Sequence, residues 1–264
     1  SFLANASYVK NEIKNLGNQT GYIDKESLPT LGTVSRNQNG YPIGYFFGYK
    51  AIGVFQTQEE IDNYISPATG KPIQPNAVPG DTKFEDLNGD GVISDDNEDR
   101  TMIGKPNPDW MVGLTVAADW NGFDLSAFFQ GSFGADVFDA LRRYELAAVN
   151  YTSDALERWT GPGTSNSMPR IVLGDTPKNF RPSTLLVHDA SFLRLRNLQV
   201  GYTLPAQLTR KAYIQRLRFY ASFDNLLTIT GYKGMDPEIG STMGIDKGVY
   251  PQARVYTFGL NLTF

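Results

Sequence analysis

Trp110-Met111-Val112-Gly113-Leu114-Thr115-Val116-Ala117-Ala118-Asp119-Trp120, then Asn121-Gly122, then Phe123-Asp124-Leu125-Ser126-Ala127-Phe128-Phe129-Gln130-Gly131-Ser132-Phe133, is the stretch that decides the fold. Trp110, Val112, Leu114, Val116, Ala118 and Trp120 share one parity, and Met111, Gly113, Thr115, Ala117 and Asp119 share the other. That is the two-residue period of a strand with one apolar face. About ten residues of tilted strand cross a bilayer, and Trp favours its two interfaces. A strand of a soluble sandwich is usually shorter, about five or six residues. Asn-Gly is the dipeptide best suited to a type I′ turn, because both central residues need positive φ. Phe123, Leu125, Ala127, Phe129, Gly131 and Phe133 then form the apolar face of a partner strand. The segment reads as a membrane-length β-hairpin.

The same period recurs on both sides. Residues 192–204 place Leu198, Val200, Tyr202 and Leu204 on one face, but Arg194 and Arg196 fall on that parity and Leu193 and Leu195 on the other. Either the start of this strand has left the hydrocarbon, or a bulge near Asn197 switches the phase. Residues 217–229 alternate cleanly, as do residues 254–264, which carry Tyr256, Phe258, Leu260, Leu262 and Phe264 on one face. Residues 2–8 alternate more weakly. Six segments of membrane length result. Short links follow Trp120 and Leu204, whereas residues 16–109, 134–191 and 230–253 are long. Outer-membrane barrels have short periplasmic turns and long external loops, so the three long segments are expected outside the cell. Asp119, Asp124, Arg218 and Asp224 then face a lumen. Trp110, Trp120, Phe123, Phe133, Tyr202, Tyr256 and Phe264 are the expected aromatic girdle.

Composition narrows the alternatives. The chain has 264 residues, 41% apolar and 12% aromatic, with a mean hydropathy of −0.33. No apolar run reaches the length of a transmembrane helix, which says nothing against strands. A net charge of −4 gives no basic excess for nucleic acid. Cysteine is absent, so neither disulfides nor thiolate metal sites can form. The first residues lack the pattern of a signal peptide, so an exported protein is expected to carry one upstream.

One motif carries recognisable chemistry. Asp86-Leu87-Asn88-Gly89-Asp90-Gly91-Val92-Ile93 reproduces the opening of a calcium loop. Its oxygens stand at positions one, three and five, Gly91 permits the turn at six, and Val92 offers a carbonyl at seven. The twelfth position is Asn97, so closure falls to Asp95, Asp96, Glu98 or Asp99; the donor set expected is Asp86, Asn88, Asp90, Val92 and Asp99 for Ca2+. The bland reading is a turn-rich surface loop. The loop spanning residues 16–109 is too long to be structureless. It carries a short helix signal, with Thr57 as cap and Glu60 closing a capping box. It also holds an aromatic strip over residues 41–55. Tyr45, Phe46, Phe47 and Tyr49 in that strip are either a partner or substrate surface or internal packing. His188 has no recognisable nucleophile beside it, and no phosphate loop or dinucleotide fingerprint is present. No enzymatic activity is expected.

Several motifs stand together in an order that resembles the SusC/RagA family of TonB-linked outer-membrane proteins. They are the Asp86 loop, Arg100-Thr101-Met102-Ile103-Gly104, Pro106-Asn107-Pro108-Asp109, Phe128-Phe129-Gln130-Gly131-Ser132-Phe133-Gly134, Phe192-Leu193-Arg194-Leu195-Arg196-Asn197-Leu198, Val200-Gly201-Tyr202-Thr203-Leu204-Pro205, Asp224-Asn225-Leu226 and the terminal strand. The aromatic strip with Glu59-Glu60-Ile61-Asp62 belongs to the same set. The resemblance implies an all-β fold: a transmembrane antiparallel β-barrel of 22 strands with long external loops, residues 1–264 supplying its C-terminal six. It implies TonB-dependent import of glycans or peptides across the bacterial outer membrane of Bacteroidetes, with a SusD-like surface lipoprotein over the external mouth. The plug, the TonB contact and the rest of the barrel are expected outside this sequence. The competing expectation is a secreted soluble β-sandwich that binds carbohydrate around a structural calcium.

Overall fold

The computed structural model describes residues 1–142, 144, 146, 150–239 and 243–264. Six strands form one antiparallel meander: β1 (Phe2–Tyr8), β2 (Trp110–Trp120), β3 (Phe123–Phe133), β4 (Phe192–Thr203), β5 (Arg216–Thr230) and β6 (Val255–Thr263). Each strand pairs with the next in that order. Asn121 and Gly122 take φ of 49° and 86°, as a type I′ turn demands, and Trp120 faces Phe123 across it. Arg254 and Phe264, expected inside the last strand, flank it instead.

The ambiguity in residues 192–204 is settled by a bulge. Phe128 pairs with Asn197 and Phe129 with Leu195, leaving Arg196 as the extra residue of β4. This phase switch returns Leu193 and Leu195 to the face that carries Leu198, Val200 and Tyr202. It sends Arg194 to the opposite face, in register with Gln130 and Thr228. The arginines mark a bulge that re-aims side chains.

The register makes the two faces of the sheet unlike. One cross-strand row runs Ala4, Leu114, Phe129, Leu195, Leu227, and another runs Trp120, Phe123, Tyr202, Phe219, Leu260. On the other face, Asp119, Asp124 and Gly201 share a row, as do Ala117, Ser126, Gln199, Ser222 and Thr257. The apolar face is uncovered: Phe258 is 76% exposed, Trp120 73% and Phe123 52%. A β-sandwich would bury that face against a second sheet about 10 Å away. No described segment covers it, which counts against the soluble-sandwich expectation.

The apolar core sits in the long connections instead. Leu28, Val34 and Phe46 from residues 16–109 pack with Phe138, Ala140 and Leu186 from residues 134–191 and with Ile245 from residues 230–253. Small sheets stitch the same segments. Tyr22–Asp24, Ser35–Gln38, Tyr45–Tyr49 and Arg100–Gly104 form one; Val187–Asp189, Asp136–Asp139 and Ile245–Asp246 form another. Tyr49 N–H donates to Pro182 O at 2.8 Å, Thr82 N–H to Asn179 Oδ1 at 2.8 Å, and Phe138 N–H to Gly244 O at 3.0 Å. The three long segments are thus one interlocked layer. Helix α1 (Gln58–Asp62) begins as expected, with Thr57 Oγ1 accepting from Glu60 N–H at 3.2 Å. Glu60 Oε2 accepts from Gln56 N–H at 2.7 Å, one residue earlier than a strict capping box.

One close approach on the polar face is testable. Arg218 Nε donates to Asp124 Oδ2 at 2.8 Å, and the pair passes over Gly201 of β4, which lies between their strands. A Cβ at Gly201 would stand 2.5 Å from Arg218 Nη2 and from Asp124 Oδ2. Gly201→Val is expected to swing the Arg218 head away and cost about 1 kcal/mol, the scale of a partly exposed ion pair. The measurement is the unfolding midpoint of the detergent-solubilised protein, and no change would show that the pair contributes nothing.

Candidate functional site

The polar face of the sheet and the loop layer meet at the bulge. Arg194 Nε donates to Thr228 Oγ1 at 2.9 Å, Nη1 reaches Glu238 Oε2 at 3.0 Å, and Nη2 is bonded to Asp236. Arg196, the bulged residue, donates to Gln130 Oε1 at 2.7 Å and to Glu238 Oε2 at 2.6 Å. Arg194 and Asp236 are almost fully buried. Burial pushes the Asp236 carboxyl up, but the N–H groups of Gln252 and Glu238 and the Arg194 guanidinium outweigh it and hold the carboxyl below the usual range. The cluster ties residues 236–238 onto the inner wall.

Above the wall, aromatic rings and guanidinium groups alternate in a ladder. The Arg36 guanidinium carbon lies 4.0 Å from the Tyr22 ring centroid and 3.7 Å from that of Phe47. Arg100 lies 4.3 Å from Phe47 and 5.7 Å from Tyr49. Arg181 lies 4.7 Å from Tyr49 and 4.9 Å from Phe84. Stacking of this kind suits the planar, weakly hydrated guanidinium. Tyr45, Phe46, Phe47 and Tyr49 are all buried, so the strip is internal packing and not an open face. Burial pushes the Tyr45 hydroxyl up to about 12, with Arg36 opposing, and lowers the Arg100 guanidinium from its usual value.

The Asp86 loop is folded on its own carboxylates. Asp86 accepts from Gly89 N–H at 2.8 Å and from Gly91 N–H at 2.9 Å. Asn88 Oδ1 accepts from Asp90 N–H at 3.0 Å, and Asp90 Oδ1 from Val92 N–H at 2.8 Å. Asp99 is fully buried and accepts from Leu87 N–H at 3.1 Å and Ser94 N–H at 3.0 Å. It ties Leu87 and Ser94 together, two residues beyond the loop's twelfth position. Among the described residues, no three of His, Asp or Glu cluster closely enough to hold a metal as placed. Asp86 Oδ1 and Oδ2 each accept one N–H and keep a second lone pair, whereas Asp99 Oδ2 accepts both the N–H and the hydroxyl of Ser94.

The remaining sequence candidates fall in two places. His188 is partly buried, 3.8 Å from Asp139 Oδ2, with no nucleophile at hand; burial lowers its pKa. Trp110 and Phe133 are cross-strand partners with Tyr8 at one end of the apolar face, the Tyr8 and Trp110 rings 4.9 Å apart. Trp120, Phe123 and Tyr202 share a row at the other end, with Phe123 and Tyr202 4.5 Å apart. Tyr256 opposes Phe223 on β5, and Phe264 is exposed beyond β6.

No family model matches the chain. TonB-dependent receptor P3 of Formosa agariphila is 34% identical over 238 residues, covering 86% of this chain and 23% of that protein. TonB-dependent receptor SusC of Bacteroides thetaiotaomicron is 30% identical over 263 residues, covering 98% of this chain and 24% of that protein. The solved structure of the RagAB peptide transporter superposes on the whole of this chain with a TM-score of 0.73 at 27% identity, using 27% of its own chain. The chain belongs to the SusC/RagA family of TonB-dependent receptors. It spans about a quarter of the length of the curated relatives it matches. Its six-stranded sheet is accordingly a stretch of antiparallel barrel wall.

Sequence reasoning missed several residues that organise this SusC/RagA-type chain. Arg36, Arg181, Asp236 and Glu238 lie in long connections where spacing carries no period. Their signal was chemical: two arginines inside a membrane-length strand require acidic partners from somewhere. Counting the carboxylates in residues 230–253 would have offered Asp236, Glu238 and Asp246, of which the first two are the partners.

Proposed function

We propose that this chain supplies wall strands and external loops to a receptor that performs TonB-dependent import of glycans or peptides across the bacterial outer membrane. A SusD-like lipoprotein and the rest of the barrel and plug are its partners. The single observation that carries the reading is the continuous uncovered apolar face of the sheet, opposite a polar face roofed by an interlocked loop layer. A water-soluble domain rarely exposes so large an apolar patch; a barrel wall must. The relatives' names as receptors and a transporter support the same class and give no support to an enzyme. On this reading Trp110, Trp120, Phe123, Phe133, Tyr202, Tyr256 and Phe264 sit at the membrane interfaces, and residues 16–109 form an external loop. Fractionation tests it: the protein should require detergent and co-purify with outer membranes and with a surface lipoprotein. Recovery as a monodisperse species without detergent would overturn it.

Calcium is proposed for the Asp86 loop, because Asp86, Asn88 and Asp90 keep the spacing of a calcium loop and Asp99 is bonded to both ends of it through Leu87 and Ser94. The Val92 carbonyl completes the set. Asp86→Ala with Asp90→Ala is expected to abolish one bound calcium per chain, measured by metal analysis of the protein after dialysis. Unchanged occupancy, or none in the unaltered protein, would leave the loop purely structural.

A further inference from the structure

Arg100 and Arg181, at the end of the stacked ladder, border a cavity of about 330 Å³. Tyr49, Asp95, Lys178 and Pro182 line it with them. Its lining carries three cationic side chains, Arg100, Lys178 and Arg181, against two carboxylates, Asp95 and Asp175. Lys178 Nζ is bonded to Asp95, which accounts for one charge of each sign. The buried Asp175 carboxylate, also in the lining, accepts from Asn179 N–H at 2.9 Å and from Phe180 N–H at 2.8 Å. Arg181 reaches Asp95 only at 3.9 Å, through Nη1. Arg100 is held by neutral oxygens: Nη2 donates to Phe47 O at 2.9 Å and Thr33 O, and Nη1 to Asn97 Oδ1 at 3.4 Å. Among the described residues it has no carboxylate partner. Arg100 Nε and Arg181 Nη1 are both buried and have no hydrogen-bond acceptor.

We infer that this cavity is a binding pocket for an oxyanion, a carboxylate or sulfate group, on the acidic ligand that the receptor takes up. Stacking on Phe47, Tyr49 and Phe84 fixes the two guanidinium planes before any ligand arrives, so little order is lost on binding. Fixed guanidinium forks match a planar or tetrahedral oxyanion better than a single ammonium does. Beside the cavity the cationic side chains outnumber the carboxylates by one, and Arg100 and Arg181 each keep a buried guanidinium nitrogen without an acceptor, as Arg36 does further along the ladder. The pocket itself rests on this geometry alone. Only the assignment of its occupant as imported ligand rests on the importer reading.

The test uses the full receptor in detergent at low ionic strength, titrated calorimetrically with galacturonate, with sulfate and with galactose. Saturable binding of galacturonate or of sulfate is expected, with none for galactose; whichever anion saturates identifies the group. Arg181→Gln is expected to weaken that binding at least tenfold, Arg181→Lys less. An unchanged thermal midpoint establishes that the variant is folded. If folding is lost, Lys178→Gln at the rim serves in its place and is expected to weaken binding two- to fivefold. No saturable binding of either anion, equal affinity in the folded variant, or equal affinity for galactose would overturn the pocket. Uptake is scored separately in cells: an anion that binds but is not imported overturns the assignment of the occupant as imported ligand and leaves the pocket standing.

Discussion

Arg194→Leu is expected to detach residues 236–238 from the inner wall, at a cost of about 3–5 kcal/mol, the scale for leaving one member of a buried pair without its partner. Asp236 would lose its guanidinium while staying buried, and Glu238 would keep only Arg196. Hydrogen exchange of the receptor in detergent should show residues 236–238 moving from slow to fast exchange while β2 and β3 stay protected. Arg194→Leu combined with Asp236→Leu should recover much of the protection, because the stranded charge is gone. Equal exchange in the unaltered and single-variant proteins would show that the cluster does not anchor the loop. The pH dependence has a definite sign. The Asp236 carboxyl is held below the unfolded value of about 3.9, so its stabilisation is fully present above that pH and is lost as pH falls through the lower folded value. Protection at residues 236–238 should therefore persist through neutral pH and fade only in strong acid.

Leu114→Arg is expected to destabilise the barrel by about 2–4 kcal/mol, the depth-dependent cost of an arginine at the lipid face near mid-membrane. Leu114 lies near the middle of β2, between Ala4 and Phe129, on the uncovered face. Its neighbour Thr115 points to the polar face, and Thr115→Arg should cost less than about 1 kcal/mol. Urea unfolding of the receptor in lipid vesicles measures both. The contrast between adjacent positions is the decisive quantity, since both variants add the same charge to the same strand. Equal effects would mean that the apolar face of the sheet does not meet lipid.

What the amino-acid sequence determined by itself was the wall. A strand's side chains alternate with a period of two, so Trp110 to Trp120 and its partner declare both their faces and their length without reference to anything distant. Asn121-Gly122 declares the turn for an equally local reason, since few residues take positive φ twice in succession. Residues 254–264 and 217–229 were legible in the same way. The bulge was legible only as a conflict, because Leu193 and Leu195 disagreed in parity with Leu198 and Val200. The pairing of Phe129 with Leu195 decided it. Within the loop layer only helix α1 was legible, from Thr57 and Glu60; the packing between the loops was not. The contacts among Phe46, Phe138 and Ile245 join segments far apart in the chain, and no local period reports them. Tertiary structure alone decided between surface and packing for the aromatic strip and brought Asp236 and Glu238 to Arg194. It alone set Arg100 and Arg181 beside one cavity. Local backbone preference writes strands and turns into sequence, whereas charge pairing and burial between loops depend on where the whole chain closes.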